Sequence, residues 1–171
     1  FYNVSVNGGG TLTVNGFLDV NGSMQLLNGN VTLSAAGADI EGDLVIGGDT
    51  FNAGSATVNL HGDLFGDNGG TLLWTVGGNM VLDGTGQTVY GSNAFRDLTK
   101  TVSSADTLTF EAGSTQVVAG ILTLQGAAGN LLALRSDTPG TQWDIDPQGT
   151  RSIGYVDVQD SNNINAAPVE A

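Results

Sequence analysis

The chain has 171 residues, of which 27 are glycine, about 16% where ~7% is usual, and only 12% are charged. Four Lys and Arg stand against 17 Asp and Glu, a formal charge of −13, which argues against a phosphate-gripping nucleic-acid face. Hydrophobic residues at 40% exclude a disordered polyampholyte, and the lack of cysteine excludes disulfides, thiolate metal sites and thiol nucleophiles.

In chain order, short runs with period-two alternation predict strands. They are Val4-Ser5-Val6, Leu12-Thr13-Val14, Leu18-Asp19-Val20, Val31-Thr32-Leu33, Leu44-Val45-Ile46, Val58-Asn59-Leu60, Met80-Val81-Leu82, Leu108-Thr109-Phe110, Leu122-Thr123-Leu124 and Tyr155-Val156-Asp157-Val158. Between them stand Asn7-Gly8-Gly9-Gly10, Asn15-Gly16, Asn21-Gly22, Asn28-Gly29, Gly47-Gly48, Gly69-Gly70 and Gly77-Gly78, which predict corners because Gly and Asn tolerate positive φ. No stretch of ten residues carries the i, i+3, i+4, i+7 pattern, and glycines interrupt nearly every window, so helix content should be close to nil. No basic leader with an apolar core is visible, nor is any run of 18 apolar residues, so no membrane insertion is expected.

Two all-β architectures compete. A sandwich or barrel needs strands of about 5–6 residues joined by hairpins. Here strands are shorter and corners denser, which favours an all-β solenoid: a right-handed parallel β-helix. Coils of roughly 20 residues would give about eight short coils and a rod on the order of 40 Å long.

Sliding the sequence on itself suggests a longer repeat. Phe1-Tyr2-Asn3-Val4-Ser5-Val6 aligns with Phe95-Arg96-Asp97-Leu98-Thr99-Lys100, Thr11–Val14 with Thr107–Phe110, and Leu18-Asp19-Val20-Asn21-Gly22 with Leu122-Thr123-Leu124-Gln125-Gly126. The expectation is one solenoid segment over 1–163, with copies at about 1–94 and 95–163 and the second partial. Residues 164–171 read as a flexible end or linker. The first copy begins abruptly at Phe1, so further coils are expected before it.

The strings Thr107-Leu108-Thr109-Phe110-Glu111-Ala112-Gly113, Asn130-Leu131-Leu132-Ala133-Leu134-Arg135-Ser136, Pro139-Gly140-Thr141-Gln142-Trp143 and Tyr155-Val156-Asp157-Val158-Gln159-Asp160-Ser161-Asn162 resemble the repeats of very large secreted bacterial surface proteins. Those are β-helical, in the style of filamentous-haemagglutinin adhesins and autotransporter passengers. The resemblance implies a β-helix at the cell surface or outside the cell, and it brings no catalytic residue.

Candidate chemistry is sparse. His61 is the single histidine and no G-x-S-x-G pattern accompanies it, so it reads as a solvent-facing turn residue and triad hydrolysis is not expected. Asp144 and Asp146 flank Ile145 and would share the outer face; with an exposed Trp143 they are candidates for glycan contact or carboxylate-driven cleavage. The cations Arg96, Lys100, Arg135 and Arg151 should lie on different coils. Gly62-Asp63-Leu64-Phe65-Gly66-Asp67-Asn68-Gly69-Gly70 is an imperfect match to the calcium nonapeptide, which makes Asp63 and Asp67 weak calcium candidates. Asp157 and Asp160, beside Asn162 and Asn163, form a second such cluster. Trp74, in Leu72-Leu73-Trp74-Thr75-Val76, reads as core or strand edge. The Thr-x-Thr pairs Thr11/Thr13 and Thr107/Thr109 are too far apart for an ice-binding array and express β propensity.

The sequence thus predicts an extracellular structural element, not an enzyme and without a required cofactor. It would be a segment of a fibre, stalk or adhesin whose unpaired ends continue in the same chain or self-associate head to tail into filaments. The alternatives are a carbohydrate-binding or carbohydrate-cleaving β-helix, with a glycan or host surface ligand, and a calcium-stabilised repeat module.

Overall fold

The computed structural model of the chain describes residues 1–66, 71–74 and 77–167. These contain strands and corners and no helix, and the paired strands run parallel as a β-solenoid of about seven turns. Each turn crosses three faces in the same order. The first face holds the start of Val4–Val14, the start of Met24–Leu33, then Leu44–Ile46, Leu64–Phe65, Thr88–Tyr90, Asp106–Phe110, Leu132–Ser136 and Val156–Val158. The ends of the two long early strands begin the second face, which continues through Thr50–Gly54, Thr71–Trp74, Asn93–Phe95, Thr115–Val118, Trp143–Pro147 and Ser161–Asn163. The third face holds Leu18–Val20, Ala38–Ile40, Thr57–Leu60, Asn79–Leu82, Asp97–Thr101, Leu122–Gln125 and Arg151–Gly154.

Alternation explains this stacking. In a strand such as Leu18-Asp19-Val20 the two aliphatic side chains turn inward and the aspartate outward, and the same pattern one coil on sets Ala38 and Ile40 on them. Leu18, Ala38, Val58, Met80, Leu98 and Leu122 form one buried column of the third face. Full burial of such a side chain contributes about 1.5–3 kcal/mol, so each added rung stabilises its neighbours. Stacking also aligns side chains outside: Phe65 and Tyr90, partners in register, stack with ring centroids 4.5 Å apart and 11° between planes.

Coils are regular early and irregular late. Val4, Met24, Leu44 and Leu64 follow one another at 20-residue steps. Later steps range from 18 residues, Trp143 to Ser161, to 29, Thr115 to Asp144. The longer coils are why the chain makes about seven turns where eight were expected from a uniform 20.

The aligned strings of the long repeat do not occupy equivalent places. Val4–Val6 lies on the first face and Leu98–Lys100 on the third; Thr11–Val14 lies on the second and Thr107–Phe110 on the first. Only Leu18–Val20 and Leu122–Leu124 share a face. An aliphatic-x-aliphatic strand suits any face, so such a match can arise from the pleat alone.

Corners place small residues where coils approach closely. A Cβ on Gly62 would clash with the carbonyl group of Gly42, one coil away, so backbone contact requires glycine there.

Candidate functional site

Both ends of the described solenoid present open sheet edges. At one end, among the described residues, Val4–Val14 pairs as a strand only with Met24–Leu33 and Leu18–Val20 only with Ala38–Ile40, while Phe1 donates its terminal amine to Asp19 O at 2.7 Å and accepts from the Asn21 N–H at 2.6 Å. A hollow of about 510 Å³ opens there beside Val4, Leu12, Val14 and Leu18, with exposed Phe1 and Phe17 also lining it. At the other end Arg151–Gly154, Val156–Val158 and Ser161–Asn163 each have a partner strand on one side only among the described residues. The interior is open there in a hollow of about 470 Å³ lined by Leu122, Leu124, Leu134, Ile153 and Val156 over the edge of Trp143. Unpaired N–H and C=O groups around an apolar centre are what a further rung would satisfy.

The corners explain much of the acidity. Ser23 donates its N–H to Asn3 Oδ1 at 2.9 Å, Asp43 to Ser23 Oγ at 3.1 Å, Asp63 to Asp43 Oδ1 at 2.9 Å and Thr88 to Asp63 Oδ1 at 2.7 Å. Each side chain thus accepts a corner amide of the next coil, where the chain leaves the sheet ladder. Asp97 accepts from the Ile121 N–H at 2.7 Å, Glu111 from Gly91 at 2.6 Å and Asp137 from Ala112 at 2.9 Å. A carboxylate makes a charge-assisted bond to an amide that would otherwise lack a partner.

Several candidate residues take part in this arrangement. Asp63 serves as a corner acceptor, Asp157 pairs with the Arg135 guanidinium, and Asp160 Oδ2 accepts the Gly140 N–H at 2.9 Å. Each is engaged in holding a neighbouring coil, and none of the three belongs to a group of three close metal-ligating side chains among the described residues. Asp67 lies outside the described residues, as do the last four positions of the proposed linker, 168–171.

The expected exposed Trp143 is a correction. It is 2% exposed, because it occupies an inward position of Trp143–Pro147 and stacks on Phe110 with centroids 4.0 Å apart. Asp144 and Asp146 do face outward around Ile145. Asp144 Oδ1 accepts from Asn162 Nδ2 at 2.8 Å. Asp146 is held below the usual carboxylate range by hydrogen bonds from Asn165 and Gln148, aided by the charge of Arg151. A carboxylate so stabilised in its charged form is poorly suited to donate a proton. Trp74 is half-buried, packed against the core.

Two constellations have no counterpart in the sequence analysis. Lys100, fully buried on the third face, places Nζ 3.0 Å from Asp106 Oδ2 and 2.9 Å from Gln87 Oε1, and donates also to Gly84 O. Gln87 in turn donates to Leu60 O at 2.8 Å and Gly62 O at 2.7 Å. Burial pushes the Asp106 carboxyl up, but the Gly86 amide, Lys100 and the Thr107 amide outweigh it, and the group lies below its ordinary range. The second is His61, a corner residue whose ring meets three carboxylates from adjacent coils. The inward place of a lysine in Leu98-Thr99-Lys100 was the available signal for the first. The spacing of one coil between Glu41 and His61 was the signal for the second.

No family model matches this chain, and neither a curated protein nor a solved structure matches it.

Proposed function

We propose that this solenoid is a structural segment of an extracellular or cell-surface fibre, stalk or adhesin, whose ends are covered by further coils of the same chain or by head-to-tail stacking on a second copy. The observation that carries the reading is the pair of open ends. They have the same three-faced cross-section, parallel edges that need partners, and apolar hollows of similar size. Such a contact is heterologous and propagates without closing. The cysteine-free, acidic composition and the surface-repeat resemblance of Asn130–Ser136 and Tyr155–Asn162 support the location and the bacterial adhesin-like character. No catalytic role is assigned, and the burial of Trp143 removes the aromatic platform on which a carbohydrate reading leaned.

Electron microscopy of the native protein over a concentration series, with sedimentation velocity on the same samples, tests this reading. Uniform rods lengthening with concentration are expected. Compact particles of one size at every concentration would refute it.

A further inference from the structure

The geometry points to a transition-metal site, of the zinc class, at Asp39, Glu41 and His61. Asp39 lies on the outer side of the strand Ala38–Ile40, Glu41 follows that strand at the corner, and His61 occupies the corresponding corner one coil on. The ladder bond from the His61 N–H to Ile40 O, at 2.9 Å, fixes that register, and the bond from Asp83 N–H to Leu60 O, at 3.1 Å, repeats it on the following coil. Glu41, His61 and Asp83 are therefore successive members of one corner column.

His61 Nε2 is 3.5 Å from Asp39 Oδ1 and 3.8 Å from Glu41 Oε1, and the three ligand atoms all lie within 4.8 Å of one another. A tetrahedral ion with bonds of about 2.0–2.2 Å separates its ligand atoms by about 3.3–3.6 Å, so small side-chain adjustments bring all three onto one cation. On the other side of the ring, Asp83 Oδ1 stands 3.5 Å from His61 Nδ1. A carboxylate there is placed to take a hydrogen bond from Nδ1–H when a metal occupies Nε2, the outer-shell arrangement that orients metal-binding histidines.

A separate observation points to a ligand. The Asp39 Oδ1 atom has essentially no solvent exposure and makes no hydrogen bond, its nearest polar neighbour being His61 Nε2 at 3.5 Å, although about a third of the Asp39 side chain is exposed. A carboxylate oxygen turned away from water without a hydrogen bond is costly, and a cation shared with His61 and Glu41 supplies what it lacks. The imidazole nitrogen selects against calcium and magnesium, which take oxygen ligands, and favours zinc, cobalt, nickel or copper. Glu41 is about half exposed, which leaves room for water in a fourth position. Bound there, the ion would tie together the coils carrying Asp39 and His61, with Asp83 bracing it from the next.

The test is calorimetric titration of chelator-treated protein with Zn²⁺, with Co²⁺ absorption as a coordination signature and Ca²⁺ and Mg²⁺ as controls. One saturable Zn²⁺ site per chain and no matching Ca²⁺ or Mg²⁺ isotherm are expected. His61→Gln and Asp39→Asn should each abolish the isotherm and the Co²⁺ bands, and Asp83→Asn should weaken affinity about 10–100-fold. Far-UV circular dichroism shows that each variant is folded; these are surface positions, and Glu41→Gln provides a further one. Absence of saturable Zn²⁺ binding, or binding unchanged in folded His61→Gln, would overturn the proposal.

Discussion

Replacing Lys100 by methionine keeps most of the apolar stem and removes the ammonium from the interior. The change strands Gln87 Oε1 and Gly84 O, two acceptors that Lys100 Nζ satisfies, and takes from Asp106 one of its donors. An acceptor left unpaired in the interior costs about 1–3 kcal/mol, so the two neutral oxygens account for about 2–6 kcal/mol before Asp106 is considered. Asp106 retains the amides of Gly86 at 2.9 Å and Thr107 at 2.8 Å, which limits its own share. The expected loss is about 3–5 kcal/mol, the range found when one partner of a buried ion pair is removed. Asp106→Asn alone leaves the ammonium uncompensated and should cost a similar amount. The double variant Lys100→Met/Asp106→Asn should be more stable than the sum of the singles predicts, by more than about 1 kcal/mol of coupling. Urea denaturation followed by circular dichroism closes the cycle. Additive single changes, or a Lys100→Met variant as stable as the parent, would show that the network does not hold the coils in the way described.

Acid should unfold the protein in part through Asp106. Its folded-state pKa lies below the unfolded value of about 3.9, so its contribution is complete above that value and disappears as pH falls through the folded one. Melting temperature against pH should therefore fall more steeply on the acid side for the parent than for Asp106→Asn; equal slopes would contradict this. Gly62→Ala forces a Cβ into the Gly42 backbone and should cost about 1–3 kcal/mol, whereas Gly8→Ala, with nothing within 4 Å, should be close to neutral. Chemical denaturation of the two variants compares them directly, and equal stabilities would dispose of the close-approach argument. In a Trp74→Phe background, Trp143 should emit at short wavelength and resist iodide quenching, and Trp143→Ala should cost about 3–5 kcal/mol. Ready quenching would mean that the stack on Phe110 is not formed.

The aliphatic-x-aliphatic triplets made the strands of the third face legible: Leu18-Asp19-Val20, Val58-Asn59-Leu60, Met80-Val81-Leu82 and Leu122-Thr123-Leu124 all occur where the alternation places them. The second face was harder to read. Asn93–Phe95 and Thr115–Val118 carry buried Asn93 and Gln116, whose side chains bond to each other at 3.0 Å, so polar letters stand at core positions. Gly-rich strings were corners as expected, but not always strand ends. Asn7-Gly8-Gly9-Gly10 and Asn28-Gly29 do not end strands but mark where the long strands Val4–Val14 and Met24–Leu33 bend from one face to the next, with register shifts at Val6/Asn7 and Asn7/Thr11 in the first. Conversely Tyr155, read as the start of a strand, is a corner residue with φ of 53°. Sites built between coils were the least legible. His61 meets carboxylates supplied from about one coil on either side, and Trp143 is buried by Phe110 from the preceding coil. Finding these requires the coil register, and coil lengths that vary from 18 to 29 residues hide it.

Hydrogen–deuterium exchange on the native assembly tests most directly whether the two ends are covered by further rungs. The edge amides of Val4–Val14 and of Arg151–Gly154, Val156–Val158 and Ser161–Asn163 report on those ends, with Asn79–Leu82 as the internal reference. End-to-end stacking predicts that both sets of edge amides are protected comparably to the reference, and that dilution to single chains releases them together. Edge amides that exchange as fast as open corners in the native material, at every concentration, would contradict the structural role assigned to this solenoid.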